Sequence, residues 1–199
     1  MGGLWFADYL GAFFTAGGTG SYFFHYMPSP LHPGCHDSWG SFGLFQVDHD
    51  YAVKGYFAQY FASQLLTQEW AQPVDQPHHL FRAASDVRDS FGNLLVTAYA
   101  LQRPDGQWSL LLVNKDRENA HAVRIAFTDS EAKRQRIFTG QVDRITFGAT
   151  EYEWHANGAG GYAEPEGPAA RSTVTGRGDT LYSLPKASIT VLRGRTSPE

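Results

Sequence analysis

Two carboxylates lie two residues apart in the last third of the chain, in the stretch EYEW. Glu151 and Glu153 would face the same side of a strand, an arrangement that could serve acid–base chemistry. No neighbouring residue in the sequence gives a reason for a shifted pKa, which a catalytic pair needs. We therefore favour a solvent-facing edge, with Trp154 packed nearby, over a catalytic site.

A second group of chemically capable residues lies in a loop rich in proline and glycine. Its possible metal ligands are His32, Cys35, His36 and Asp37. A zinc site needs several donors within tetrahedral reach, and the irregular spacing around Pro33 does not supply a recognisable pattern. The sequence therefore favours an active-site-rim loop, and we predict neither a metal nor a cofactor.

Aromatic and imidazole side chains lie within the run SYFFHYMP and in the loop after it. His25 and Tyr26 lie at the end of a predicted buried strand over residues 21–28, and Trp39 follows in the next loop. Ligands of barrel proteins bind beyond the carboxyl ends of the strands, where aromatic rings could stack on a sugar. We predict His25, Tyr26 and Trp39 as substrate-binding residues, with ordinary packing at an aromatic-rich edge as the alternative.

The composition narrows the class of protein. The chain has 199 residues and a formal net charge of −4, without the basic patch of a nucleic-acid-binding protein. The chain has a single cysteine, so an intrachain disulfide is excluded. Cysteine usage therefore does not indicate the cellular compartment of the protein. No apolar run is long enough for a membrane helix, and Asp8 interrupts the apolar N-terminal stretch that might otherwise resemble a signal peptide. We expect neither nucleic-acid nor membrane partners.

The elements that must position these residues fall into two parts. Residues 1–72 are predicted to form three elements. They are a helix over 3–16 that is apolar on nearly every side, the buried strand, and an amphipathic helix over 51–67. The sequence offers no second buried strand to pair with the first. We therefore interpret this part as a fragment of an α/β repeat that belongs to a larger fold.

The remaining residues, 73–199, follow the period of two that is typical of strands. Hydrophobic residues alternate over 94–101 and again over 108–113, on either side of the turn sequence RPDG. Further strands are predicted over 122–127, 143–149, 180–184 and 187–193, with Pro185 separating the last two and a long surface loop over 155–178. Short antiparallel strands joined by such turns predict a β-sandwich.

Three stretches carry a resemblance to a known family. They are GGLWFADYLGAFFTAGGTGSYFFHYMP, GSFGLFQVDHDYAVKGYFAQYFASQLL and the ending YSLPKASITVLRG, which EYEWHANGAGGYAEPEGPAA precedes. In this order they resemble the C-terminal end of a glycoside hydrolase of family 39, the β-xylosidase-like group. The resemblance implies a fragment of a (β/α)8 barrel, consisting of its last helix–strand–helix, followed by an antiparallel β-sandwich.

The resemblance also implies what the chain does. The parent reaction would be hydrolysis with retention on β-xylosides or related plant polysaccharide fragments. In such enzymes both catalytic carboxylates would precede residue 1, so no catalytic residue is transferred and the chain alone is expected to be structural. Its partners would be carbohydrate, through the parent enzyme, and either the missing barrel portion or a second copy.

Two alternatives remain open at this stage. The sandwich could be a carbohydrate-binding module, with Tyr152, Trp154 and Tyr162 as the aromatic candidates. The chain could instead be an interaction protein that completes a barrel in trans, because large uncovered apolar surfaces usually mark interfaces. The tripeptide Arg177–Gly178–Asp179 matches a cell-adhesion motif, but we favour an ordinary turn before the last strands.

Overall fold

The computed structural model describes residues 1–23, 43–129 and 134–198. Strands account for a larger share of the described chain than helices do. The helical elements are α1 (Gly2–Thr15), α2 (Ala58–Gln64) and a π-helix (Leu65–Trp70) that continues α2. The strands are β1 (Phe45–Val47), β2 (Val53–Tyr56), β3 (His79–Phe81), β4 (Val96–Gln102), β5 (Trp108–Asn114), β6 (His121–Val123), β7 (Phe127–Asp129), β8 (Arg134–Phe147), β9 (Tyr152–His155), β10 (Tyr162–Glu166), β11 (Ala170–Gly176), β12 (Tyr182–Leu184) and β13 (Ser188–Pro198).

A seven-stranded antiparallel sheet forms the centre of the molecule. Its strands lie in the order β11-β8-β13-β5-β4-β3, and β7 pairs with part of β8. The predicted hairpin over 94–113 is confirmed, with Gly106 at a positive φ of 77° in its turn. The predicted pair of closing strands is also confirmed, since Pro185 lies between β12 and β13.

Strand β13 lies between β5 and β8 and is buried on both of its faces. Ile189 and Val191 point to one side, and Thr190 and Leu192 to the other; all four are fully buried. Because side chains alternate along a strand, this pattern requires a separate layer on each side of the sheet. The two layers are different in kind.

The first layer is helical. Ala7 and Leu10 of α1, together with Leu65 and Trp70 of the π-helix, pack in one cluster with Ile189 and its neighbours. We call this cluster the helix-side core. It contains residues from both predicted parts of the chain, and the division after residue 72 stays a prediction.

The second layer is a small sheet. Strands β6 and β12 pair with each other, and Tyr182 and Leu184 of β12 pack onto Leu112, Phe138 and the other residues of the opposite face. A large and a small antiparallel sheet therefore face each other here. The described chain has more sheet than helix, and the partial barrel followed by an antiparallel β-sandwich stays a prediction.

The predicted helix over 51–67 is wrong at its start. Residues 45–56 form a short hairpin, because Asp48 accepts hydrogen bonds from the backbone N–H groups of Asp50 and Ala52 and pairs with Lys54 at 2.9 Å. These bonds hold a turn that the helical spacing of apolar residues did not reveal. The helix starts at Ala58 and continues to Trp70, beyond its expected end.

The predicted surface loop over 155–178 is also wrong. Strand β10 pairs with β9, and β11 pairs with β8 over seven residues, from Ala170 to Gly176. Strand β11 lies at the sheet edge, and its side chains are mostly exposed Arg, Ser and Thr. A strand solvated on most of its surface has no apolar alternation, which is why its sequence resembled a loop.

The predicted strand over 21–28 cannot be compared in full. Residues 21–23 have no regular secondary structure, and the rest lie outside the described residues. Within the described part of the chain, no helix has the length and apolar character needed to cross a membrane.

Candidate interaction surface

Helix α1 carries three aromatic rings along one side. Trp5, Tyr9 and Phe13 follow each other at intervals of four residues, so they lie on the same face of the helix. Trp5 and Tyr9 stack with ring centroids 5.4 Å apart, and Tyr9 and Phe13 lie 6.1 Å apart. The exposed fractions are 65% for Trp5 and 49% for Tyr9. We call this set the aromatic stripe.

The opposite face of α1 carries small residues that allow neighbouring elements to pack closely against the helix. A Cβ atom at Gly3 would lie 2.9 Å from the carbonyl oxygen of Ala58, and one at Gly11 would lie 2.3 Å from the ring of Tyr99. Ala7, between these glycines, is fully buried. Small residues therefore set the helix tightly on its neighbours and leave the large aromatic rings on the outer side.

Asp8 fixes the rotation of α1 on the sheet. Its carboxylate accepts hydrogen bonds from the hydroxyls of Thr97 and of Tyr99, the latter at 2.6 Å, and lies 3.5 Å from Nζ of Lys115. Burial, together with the nearby Asp8 carboxylate, raises the pKa of Tyr99. The sequence had presented Asp8 only as a polar break in an apolar helix. A single acid in such a helix can indicate a polar tie of this kind.

The two helices run in the same direction. The N-terminal residues Gly2 and Gly3 lie beside Gln59 and Ala58 at the start of α2. Further along, α1 reaches Tyr99 through Asp8, and the π-helix reaches the carbonyl of Tyr99 through Nε1 of Trp70 at 3.3 Å. Both helices therefore begin at one end of the sheet and proceed towards the same residue.

The π-helix is tied to the sheet by an ionic network. Glu69 is buried and pairs with Arg171 and, at 3.0 Å, with Arg193, which also binds Asp143 at 2.9 Å. The main-chain carbonyl of Glu69 accepts a hydrogen bond from Nη1 of Arg103 at 2.8 Å. Burial opposes ionisation of Asp143, but its hydrogen bonds to Arg193 and Gln141 lower its pKa overall.

A cleft of about 240 Å³ opens beside this network. It is lined by Phe61, Gln64, Gln68, Glu69 and Arg171, among others. Each oxygen of Glu69 is bound by a different guanidinium group, through Arg171 and Arg193. A carboxylate whose two oxygens are both held by guanidinium groups serves as a structural tie between the π-helix and the sheet.

The predicted substrate-binding residues His25, Tyr26 and Trp39 lie outside the described residues, and so does the ligand-rich loop from His32 to Asp37. In the described part of the chain, no group of three or more His, Cys, Asp or Glu side chains could hold a metal ion.

The carboxylates of Glu151 and Glu153 have separate environments. Glu151 accepts a hydrogen bond from the backbone N–H of Gly148 at 2.9 Å and so closes the turn before β9, while Glu153 is exposed on the strand. Arg177 and Asp179 belong to a turn that Thr180 closes, with its backbone N–H bound to the carbonyl of Arg177 at 3.1 Å. These contacts agree with the structural interpretation of both motifs.

The three aromatic candidates for sugar binding differ in their surroundings. Tyr152 packs near Phe61, and its hydroxyl donates a hydrogen bond to the carbonyl of Tyr56 at 3.2 Å. Trp154 packs against Phe57, with ring centroids 5.3 Å apart. Tyr162 is 50% exposed. Of the three, Tyr162 has the most accessible ring.

No family model and no curated protein matches the sequence. Solved structures that resemble the fold include the GH51 arabinofuranosidase from Xanthomonas axonopodis pv. citri, at 14% identity and a TM-score of 0.47, over 77% of this chain and 29% of that one. The α-L-arabinofuranosidase from Thermotoga maritima in its arabinose complex gives 13% identity and a TM-score of 0.46, with coverages of 79% and 32%. The catalytic domain of the GH30 xylanase C from Talaromyces cellulolyticus gives 14% and 0.44, with coverages of 77% and 27%.

These neighbours are glycoside hydrolases, and this chain spans less than a third of the length of each of the three. The narrower resemblance to family 39 stays a prediction.

Proposed function

We propose that this chain forms the last helix–strand–helix of a (β/α)8 barrel wall and the attached sheet domain of a retaining glycoside hydrolase. The substrates would be β-xylosides or related plant polysaccharide fragments. Its own role is structural, because it completes the barrel wall and supports the rim of the active site. One observation carries the proposal: α1 and α2 are parallel, and α1 exposes the aromatic stripe on the side away from the sheet.

Parallel neighbouring helices support a βα repeat. Helices that follow each other through a short connection are usually antiparallel, whereas parallel neighbours need a returning segment between them. The chain between Thr15 and Ala58 must run back from the end of α1 to the start of α2. In βα repeats this return is a strand, which is the element that the sequence predicts over residues 21–28.

The aromatic stripe supports the presence of a further neighbour. Trp5 and Tyr9 are exposed although the other face of the same helix is closely packed. A contiguous apolar surface of this kind usually marks an interface. In a barrel wall, the adjacent helix would cover it.

The acidic residues of the helical elements support a structural role. Asp8 is bound by Thr97, Tyr99 and Lys115, and Glu69 by two arginines. Retaining hydrolysis needs two carboxyl groups about 5–5.5 Å apart across an accessible bond. Neither Asp8 nor Glu69 is free for that task, so the catalytic pair is expected on another part of the parent enzyme.

The first test measures turnover by the purified chain on 4-nitrophenyl β-D-xyloside and 4-nitrophenyl α-L-arabinofuranoside. We expect no turnover above that of the heat-denatured chain. Robust hydrolysis that Glu151→Gln or Glu153→Gln abolishes would overturn the structural assignment.

The second test concerns the aromatic stripe. We expect the chain to bind a hydrophobic dye or to associate in sedimentation experiments, and the Trp5→Ser/Tyr9→Ser double variant to lose that property. Phe91 is 90% exposed in a separate turn, so Phe91→Ser is the matched control and should behave like the unmodified chain. A monomer without dye binding would contradict the barrel-wall proposal. A discrete homodimer lost in the double variant would instead favour self-association.

A further inference from the structure

The β9–β10 hairpin is attached to the segment that leads into α2. Nε2 of Gln46 donates to the carbonyl of Gly161 at 2.6 Å, and the backbone N–H of Tyr56 donates to the carboxylate of Glu166. The hydroxyl of Tyr152 donates to the carbonyl of Tyr56. The hairpin therefore has a fixed position next to the N-terminal end of α2, although it belongs to the sheet domain.

The N-terminal end of α2 identifies one face of the proposed barrel. Both α1 and α2 begin here, as the approach of Gly3 to Ala58 shows. In a βα barrel, helices begin on the side where the preceding strands end, and ligands bind on that side. The hairpin accordingly lies at the substrate face of the proposed parent enzyme.

The hairpin presents a pair of stacked rings. Tyr162 pairs with His155 in the strand register, and their rings lie 5.0 Å apart at an angle of 24°. Nε2 of His155 lies 2.9 Å from the carbonyl oxygen of Glu164, which fixes the imidazole ring. Half of the Tyr162 surface remains exposed, so one ring is supported from behind while its other surface is open to a ligand.

The hairpin that carries the two stacked rings is itself packed against buried residues. Trp154 lies in β9, the other strand of the hairpin, and its ring packs against Phe57, the residue just before α2. A Cβ atom at Gly161 would come within 2.6 Å of the Trp154 ring, so the backbone beside Tyr162 lies directly on this indole. The ring pair is therefore held on a packed base.

We propose that the Tyr162–His155 pair is a sugar-stacking position for a neutral sugar unit of the polysaccharide, at the edge of the substrate cleft. Exposed aromatic rings offer an apolar surface to the C–H face of a sugar and a polar tip to its hydroxyls. This assignment rests on the proposed function, which identifies the end of the sheet where the hairpin lies as the substrate face.

The experiment is a titration of the full chain with β-1,4-xylohexaose, followed by NMR of the aromatic and imidazole protons. We expect millimolar binding, with the largest shifts at Tyr162 and His155. Tyr162→Ala should weaken binding about fivefold, and Tyr162→Trp should restore it, because a stacked aromatic ring contributes a small free energy. Phe91→Ala, which removes an even more exposed ring elsewhere, should leave binding unchanged.

The absence of shifts at millimolar xylohexaose, or shifts that Tyr162→Ala does not reduce, would overturn this inference. The proposed function is decided separately by the turnover and aromatic-stripe tests. If the chain behaves as expected in those two tests but does not bind xylohexaose, only the sugar-stacking assignment is wrong. A chain that binds xylohexaose through Tyr162 but shows no hydrophobic surface at α1 would retain sugar binding as an independent module and lose the barrel assignment.

Discussion

Strand β13 and helix α1 are both rich in apolar residues, yet their surroundings differ. Ile189, Val191 and Leu192 of β13 are fully buried, because helices cover one face of the sheet and the small β6–β12 sheet faces the other. Helix α1 is packed on one side and leaves Trp5 and Tyr9 exposed on the other. The sheet is thus covered on both faces at β13, whereas α1 leaves part of its aromatic surface exposed.

The residues that join these two regions are polar. Asp8 connects α1 with β4, and Glu69 connects the π-helix with β11 and β13. An apolar contact alone would permit several rotations of a helix on a sheet, whereas directional hydrogen bonds select one. The aromatic stripe therefore faces outward because of these ties, and the comparison can be tested by substituting each region in turn.

The largest effect is expected at the centre of the sheet. Leu192→Ala should lower the free energy of unfolding by about 2–5 kcal/mol, because it removes buried methyl groups and leaves a cavity. Urea denaturation measures this change. Leu181, in the turn before β12, is 57% exposed, so Leu181→Ala is the matched control and should cost little. Equal costs for the two variants would remove the distinction between the buried sheet and its surroundings.

A smaller effect is expected where the π-helix meets the sheet. Glu69→Gln should lower the free energy of unfolding by about 2–3 kcal/mol, since it leaves Arg193 poorly compensated in a mostly buried position. The exposed Glu153→Gln is the control. A Glu69→Gln variant as stable as the unmodified chain would show that the network does not hold the helix to the sheet.

The turn between β5 and β6 gives the sheet region a pH dependence. Hydrogen bonds from the backbone N–H groups of Glu118 and Asn119, with further bonds from the side chains of Asn119 and His121, lower the pKa of Asp116 to about 2. The depressed pKa means that Asp116 stabilises the folded state above its unfolded pKa of 3.8, and this contribution is lost as the pH falls towards 2.

Thermal unfolding of Asp116→Asn and of the unmodified chain should therefore differ at pH 6 and converge near pH 2. The exposed Asp179→Asn serves as the control and should show no such convergence. A difference between Asp116→Asn and the unmodified chain that stays constant over this pH range would contradict the role given to Asp116.

The smallest effect on stability is expected at the aromatic stripe. Trp5→Ser should change the free energy of unfolding by no more than about 0.5 kcal/mol, because exposed side chains contribute little to folding. Urea denaturation provides the measurement. A cost comparable with that of Leu192→Ala would mean that Trp5 belongs to the core of this chain and is not available to a neighbour.

Some parts of the structure could be predicted from residue patterns. The alternation in β4, β5 and β13 and the turn residues between β4 and β5 predicted the hairpin and the closing strands, because these strands have buried residues at fixed intervals. The first helix was also predicted closely. Its apolar residues on every side indicated burial in a larger body, but they did not distinguish its packed face from its exposed one.

The errors arise from contacts that the spacing of apolar residues does not show, most of them between distant parts of the chain. Strand β11 is stabilised by its ladder with β8 and has no apolar pattern of its own. The hairpin before α2 depends on the local bonds of Asp48 and on the distant carboxylate of Glu166, which binds Tyr56. Pattern-based reasoning sees residues a few positions apart, so such pairings are not visible to it.

The spacing of side chains along single elements was enough to predict several strands with a buried side and a first helix that is apolar all round. The tertiary structure decided which face of that helix is packed, that the two helices are parallel, and that Glu69 and Asp8 serve as ties to the sheet. Those features depend on partners about 30 to more than 120 residues away in the chain, and only folding brings such partners into contact.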